Sequence, residues 1–267
     1  MTETYAVLHL EAFAGWLRAA ARPESTIYLR TYQVRRIAGQ IPNLPSVDGE
    51  TLTQWLGSQA WKPDTKRSYR SALTIYFGWL HASGRITSNP TLGMPIVTGS
   101  HALPRPATDE SVQQALATAD DRVRLMIRIQ ATLGLRRGEV ARVHTRDVVR
   151  DFEGHSLRIL GKGSRERLVP LPRGLAAVLL AQPAGWLFPS PAGGPLTPAH
   201  VGKLISRALG PGVTPHQLRH RFATRAYAQG QDLLAVQQLL GHARPETTMI
   251  YTQVPTASKR FIVDAAA

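Results

Sequence analysis

Residues 146–171 read RDVVRDFEGHSLRILGKGSRERLVPL, and this stretch sets the fold class. Three short runs, Val148-Val149, Ser156–Leu160 and Arg167–Leu171, are rich in β-branched and aliphatic residues. Phe152-Glu153-Gly154 and Gly161-Lys162-Gly163-Ser164 separate them, and both separators carry turn residues. Runs this short, joined by turns this tight, predict a small antiparallel sheet rather than parallel strands with crossovers.

Outward from the sheet the periodicity becomes helical. Upstream, Thr108-Asp109-Glu110 opens a helix with favourable N-terminal chemistry, and DRVRLMIRIQATLG (121–134) is apolar at helical spacing up to Gly134. Downstream, TPAHVGKLISRAL (197–209), TPHQLRHRFATRAYAQG (214–230), DLLAVQQLLG (232–241) and a short PETTMIYT (245–252) read as helices. The first hundred residues are helical too. EAFAGWLRAA (11–20) is followed by STIYLRTYQVRRIAGQI (25–41), with Ser25 as the expected N-cap and Arg30, Arg35 and Arg36 along it. In DTKRSYRSALTIYFGWLHASG (64–84), Asp64 is the expected N-cap and Gly84 marks the end. Ala72, Leu73, Tyr76, Phe77 and Leu80 form its apolar stripe, with Lys66, Arg67 and Arg70 on another side near its start. Basic residues there oppose the helix dipole and are easier to explain beside phosphates; a solvated face is the plainer alternative. The expected fold class is therefore mainly α with one small antiparallel β-sheet, α+β.

Val97–Pro106, with Gly, Ser and two prolines, reads as a linker. The expected organisation is a helical domain over 1–97, a linker over 98–106 and a second domain over 107–267. The chain has 267 residues and a formal net charge of +14, with 32 Lys+Arg against 18 Asp+Glu. Residues 1–100 hold 10 basic and 6 acidic residues, and residues 101–267 hold 22 and 12, so the excess is +4 and +10. Such an excess points to a polyanionic partner, most simply nucleic acid. The absence of cysteine excludes disulfides and thiolate metal sites. No signal peptide and no membrane-length apolar run is present, so a cytoplasmic location is expected, with no membrane partner.

His216-Gln217-Leu218-Arg219-His220 places three potentially cationic side chains within about one helical turn. That crowding is unfavourable unless an anion sits there. Thr214, Pro215 and Gln217 read as N-cap, first helical residue and capping-box partner, so the free N–H groups of a helix start lie beside the same cluster. A phosphodiester fits: arginine binds two of its oxygens and histidine donates another hydrogen bond. Zinc on His216 and His220 is a competing reading, weakened by the missing HExxH glutamate and by the intervening arginine; a structural histidine pair is another.

Four further segments decide among these readings. They are Gly134-Leu135-Arg136-Arg137-Gly138-Glu139, Gly161–Arg167, Leu240-Gly241-His242-Ala243 and Thr247–Tyr251, the tyrosine standing nine residues after His242. In this order and spacing the set resembles the catalytic domain of the tyrosine recombinases, the phage integrase family, over residues 108–255. TKRSYRSALTIYFGWLHASGRITSNP (65–90) is similar to the family's helical core-binding domain.

The resemblance implies that DNA is cut and rejoined through a covalent 3′-phosphotyrosine, with no metal and no cofactor. It implies Tyr251 as nucleophile, Arg136 and Arg219 on the non-bridging oxygens, and Lys162 as general acid. His216 and His242 would hydrogen-bond the phosphate, with Glu139 and His220 in supporting roles and Lys66, Arg67 and Arg70 on DNA. Arg136 rather than Arg137 is favoured by its spacing from Gly134 and Glu139. The family usually has an aliphatic residue and then Ser where this chain has Arg137-Gly138, which puts the local helix start in question.

Further expectations are double-stranded DNA attachment sites, a homotetramer passing through a four-way junction, and a directionality factor as accessory partner. With helices expected to begin near residue 8, the small arm-binding domain of lambda-type integrases is not expected here. Phage or mobile-element integration is the favoured role, with chromosome or plasmid dimer resolution as the alternative. A type IB topoisomerase and a non-catalytic DNA-binding protein are the other classes. Phe261-Ile262-Val263 is expected to dock on a neighbouring protomer or on its own domain, and the Ala-rich end resembles a bacterial degradation tag.

Overall fold

Tyr76 and Phe77 lie fully buried at the centre of the first helical unit, as the stripe on residues 64–84 requires. The structure, a computed structural model, describes residues 9–99, 105–161 and 166–241. The chain divides between Ala102 and Leu103 into two units, each with its own core.

The first unit contains α1 (Leu10–Ala19), α2 (Glu24–Ala38), α3 (Gly49–Ser58) and α4 (Pro63–Ala82). Ala72, Leu73, Tyr76, Phe77 and Leu80 of α4 are all inaccessible to solvent, and the last four join a core with Phe13, Leu17, Val34, Ile37 and Leu52. Phe13 meets the edge of Tyr76 at a centroid distance of 5.3 Å.

Two expected caps are corrected. α2 begins at Glu24 behind Pro23, so Ser25 lies inside the helix. α4 begins at Pro63 behind Lys62, so Asp64 lies in the first turn and not at the cap. In α4, proline at the first helical position has its φ preset and needs no N–H partner, which moves the start ahead of Asp64; in α2, Pro23 stands at the cap itself and Glu24 takes the first helical position. Asp64 instead faces the positive helix end and pairs with Arg67 at 3.1 Å. Arg30 donates to the Ser68 carbonyl at 2.8 Å and to Ser71 Oγ at 3.1 Å, tying α2 to α4.

The second unit contains α5 (Asp109–Thr118), α6 (Asp121–Leu133), α7 (Arg137–Ala141), β1 (Val148–Arg150), β2 (His155–Leu160) and β3 (Glu166–Pro170). It continues with α8 (Arg173–Leu180), α9 (Pro198–Leu209), α10 (Pro215–Gly230) and α11 (Leu233–Leu240). The three strands form an antiparallel sheet in the order β1-β2-β3, with Leu157 opposite Val148 and Val169, and Ile159 opposite Arg167. Leu157, Ile159 and Val169 point into the core, the alternation expected of a sheet with one covered face. The expected fold class, helices around one small antiparallel sheet, is the one observed.

α3 and α8 were not legible as helices in advance. Each is short and depends on burying a few side chains, Leu52 and Leu56 in one, Leu175, Ala176 and Leu179 in the other. Among the described residues no helix is long and apolar enough to cross a membrane. Lys162, His242, Tyr251, the expected helix over 245–252, the tail and the centre of the linker lie outside the described residues.

Candidate active site

The site is built where four chain segments meet, and Gly134 and Gly241 make the meeting geometrically feasible. Gly134 ends α6 in the left-handed region, φ 64°, and a Cβ there would lie 2.3 Å from the Phe222 ring of α10. Gly241 ends α11 at φ 62°, and a Cβ there would stand 3.0 Å from Arg167 Nη1. Both positions need glycine for conformation and for space.

After Gly134 the chain turns into α7, whose first turn brings Glu139 back over its own start. Arg136 N–H donates to Glu139 Oε2 at 2.8 Å, so the helix forms despite the unusual Arg137-Gly138. The Glu139 side chain is only 7% exposed, and three guanidiniums surround it. Arg136 Nη1 donates to Oε1 at 3.0 Å. Arg167 makes a two-pronged contact, Nη1 to Oε1 at 3.0 Å and Nη2 to Oε2 at 2.9 Å. Arg219 Nη1 stands 3.9 Å from Oε2. Burial alone pushes the Glu139 carboxyl up. The Arg167 hydrogen bond and charge, with the Arg136 N–H and charge, outweigh it and hold the group below the ordinary glutamate value.

The same arginines meet again at the end of α11. Its last carbonyls have no partners within the helix and carry the negative end of the helix dipole. Arg219 donates to Leu240 O at 2.6 Å and, on its other side, to Gly134 O at 2.6 Å. Arg136 reaches Leu240 O at 3.3 Å and Gly241 O at 3.2 Å, and Arg167 Nε donates to Leu239 O at 2.8 Å. The Arg219 side chain is 2% exposed, Arg167 12% and Arg136 41%, so Arg136 is the guanidinium most open to a ligand. Arg137, its neighbour in sequence, extends instead along Gly202 of α9.

α10 carries the HQLRH segment as its first turns. Thr214 N–H donates to Gln217 Oε1 at 2.6 Å behind Pro215, as the capping pattern predicts. The His216 and His220 rings meet edge to face at a centroid distance of 4.2 Å. Desolvation, then the charges of Arg219 and Arg136, push His216 down from its ordinary value. Desolvation, then His216 and Arg219, push His220 down to about 4. Both histidines are thus harder to protonate than in water, which eases the crowding of charge, and Arg219 faces an internal carboxylate and two carbonyls.

The structure thus brings together Arg136, Glu139, His216, Arg219 and His220. It adds Arg167 and the α11 carbonyls, which had not been singled out. A signal for Arg167 existed. On β3 it shares a face with the buried Val169, so an inward-pointing arginine demanded a buried anion.

Lys66, Arg67 and Arg70 belong to the other unit. Lys66 Nζ donates to Gly57 O at 3.0 Å, and exposed Arg67 pairs with Asp64. Arg70 donates to Pro95 O at 2.6 Å and Met94 O at 2.9 Å, so much of its hydrogen-bonding capacity is taken up within the unit.

A glutamate bracing a guanidinium cluster at the start of a His-x-x-Arg-His helix defines a class of anion-handling site. Comparison with known proteins gives the class its family. Residues 107–257 match the phage integrase family. Tyrosine recombinase XerD of Caulobacter vibrioides is 33% identical over 269 residues, spanning 89% of this chain and 88% of the relative. Tyrosine recombinase XerC of Salmonella typhi is 30% identical over 300 residues, spanning 100% of this chain and 97% of the relative. The chain belongs to the phage integrase family, the tyrosine recombinases, and is an enzyme of site-specific DNA recombination. Two solved structures show the same fold. One is XerH bound to a palindromic difH substrate in a post-cleavage complex, with TM-score 0.69 and 24% identity, covering 90% of this chain and 79% of that one. The other is a lambda integrase dimer bound to a COC′ core site, with TM-score 0.73 and 20% identity, covering 91% of this chain and 75% of that one.

Proposed function

We propose that this enzyme cuts and rejoins double-stranded DNA through a 3′-phosphotyrosine at Tyr251. The observation that carries the reading is the meeting of Arg136, Arg219 and Arg167 around one carboxylate. Three guanidiniums against Glu139 leave a local excess of two positive charges, 3 − 1. A phosphodiester suits that excess.

Tyr251 Oη attacks the scissile phosphorus, the phosphorus–O5′ bond breaks, and the 3′ phosphate stays on the tyrosine. Arg136 and Arg219 neutralise the non-bridging oxygens as charge shifts towards them in the transition state. Arg219 reaches the phosphate by exchanging a neutral carbonyl acceptor for an anionic oxygen, which keeps its hydrogen bonds in number and adds the attraction of opposite charges. His216, whose charged form is disfavoured by desolvation and by Arg219 and Arg136, accepts the tyrosine proton, and His242 donates a hydrogen bond to the phosphate. Lys162 protonates the departing O5′; arginine cannot, because it does not give up its proton. Glu139 braces the arginines and His220 supports His216. The ester stores the bond energy, so a new 5′ hydroxyl reverses the step without a nucleotide cofactor.

Lys66, Arg67 and Arg70 contact the DNA backbone from the first unit, with Arg67 the most available of the three. The protein acts in the cytoplasm on DNA attachment sites. The lambda integrase tetramer bound to a Holliday junction supports a homotetramer as the working assembly here. A directionality factor would bias the direction of exchange. The Xer-type relatives favour dimer resolution as the second reading beside integration.

A duplex nicked so that the cleaved end diffuses away tests the chemistry. The unaltered protein should accumulate a denaturant-stable adduct, and Tyr251→Phe should bind DNA and form none; an adduct from that variant would overturn the nucleophile. Adducts mapped to the ends of an element carrying this gene would support integration, and adducts at one distant chromosomal site would support dimer resolution.

A further inference from the structure

We propose that Arg167 is a positioning residue for the strand-cleavage step, holding Glu139 so that its charge does not cancel that of Arg136. The proposal rests on the reading above, in which Arg136 and Arg219 serve the scissile phosphate.

Arg167 occupies both oxygens of Glu139, whereas Arg136 Nη1 shares only Oε1, at 3.0 Å. A carboxylate this buried must be compensated. Without Arg167 its remaining cations are Arg136 and Arg219, and a free carboxylate would close on both. Arg136, the most exposed of the three, would then turn inward and present less positive charge to a ligand. Arg167 prevents this by a planar fork that matches the carboxylate, a geometry a lysine cannot reproduce.

A second connection runs through α11. Arg167 Nε donates to Leu239 O, beside the carbonyls of Leu240 and Gly241 that seat Arg219 and Arg136. One guanidinium therefore fixes both the anion and the helix end against which the other two are aligned. Gly241, whose Cβ would press on Arg167 Nη1, is the space this arrangement requires. With its side chain 12% exposed, Arg167 faces these partners and not solvent.

The test uses full-length protein and the nicked duplex, with a second duplex whose scissile phosphate is a methylphosphonate. Replacing one non-bridging oxygen by methyl removes the charge that the arginines must neutralise. Arg167→Gln should slow adduct formation on the phosphate by about 10- to 100-fold at saturating DNA, the same order as when the residues that orient metal ligands are removed. The half-saturating DNA concentration should change by less than about threefold, and Arg167→Lys should recover only part of the rate. On the methylphosphonate the Arg167→Gln defect should shrink, as it should for Arg136→Ala. Equal slowing on both duplexes, or a loss matching the fraction unfolded, would assign Arg167 a structural role only and overturn the proposal. If Arg167→Gln fails to fold, Arg167→Lys gives the same readout. If Arg136→Ala shows no relief on the methylphosphonate, the parent reading fails. If Arg136→Ala is relieved and Arg167→Gln is not, this inference alone fails.

Discussion

Two groups of basic side chains in this molecule are held in opposite ways. On α4, Arg67 lies in solvent with Asp64 beside it, and Lys66 rests on a neighbouring carbonyl. Around α7, α10 and α11, three guanidiniums are locked to one buried carboxylate and to the carbonyls of a helix end. The first arrangement is adaptable and weakly coupled, which suits a backbone contact that tolerates any sequence. The second is preorganised, which suits a charge that must meet a developing anion with only an exchange of acceptor at Arg219. Positive charge serves both, but only the second costs stability to misplace.

That contrast can be broken at the cluster first. Glu139→Gln leaves three guanidiniums without their carboxylate, and urea unfolding should show a loss of about 3–5 kcal/mol, as for other buried pairs deprived of one partner. A loss below about 1 kcal/mol would mean that water already screens the cluster and that the two basic groups are alike.

Gly134→Ala should come next, at about 2–3 kcal/mol, since it adds left-handed strain to a clash with Phe222. Combining it with Phe222→Ala should remove the steric part and leave the backbone part, which a double-mutant cycle would measure.

Acid should act on the cluster through His220. Its value falls from 6.5 in the unfolded chain to about 4 in the folded one, so the unfolded chain binds the proton more tightly. Stability is full above about pH 6.5 and declines as pH falls towards about 4. Because water reaches part of the ring, the loss should be on the order of 1–2 kcal/mol. Unfolding midpoints recorded between those pH values should lose most of that slope in His220→Gln.

The smallest effects belong to α4. Arg67→Ala should change stability by less than about 0.5 kcal/mol, as exposed pairs do. It should nevertheless reduce the salt dependence of DNA binding by about one released counterion. An unchanged salt slope would take Arg67 out of the proposed footprint.

Much of the fold was legible because local patterns and global structure agree. The VV, SLRIL and RLVPL runs became three strands, and the caps at Thr108 and Thr214 fall where the polar residues predict. Reading failed where local signals compete: at Ser25, where Pro23 takes the cap, at Asp64, where Pro63 starts the helix, and in short α3 and α8, whose helicity depends on the core they cover. At the cluster, the spacing from Glu139 picked out Arg136 and not Arg137 as the arginine beside that carboxylate, because Glu139 reaches back to the start of α7.

By itself, then, the sequence determined the helix-and-hairpin pattern, the family motifs and the excess of positive charge, since these are properties of neighbours along the chain. Only the tertiary structure decided which charges compensate which. Arg167 reaches Glu139 across 28 residues, and Arg136 reaches Leu240 across 104. Coulomb energy depends on distance in space and on burial, and neither is written in sequence separation.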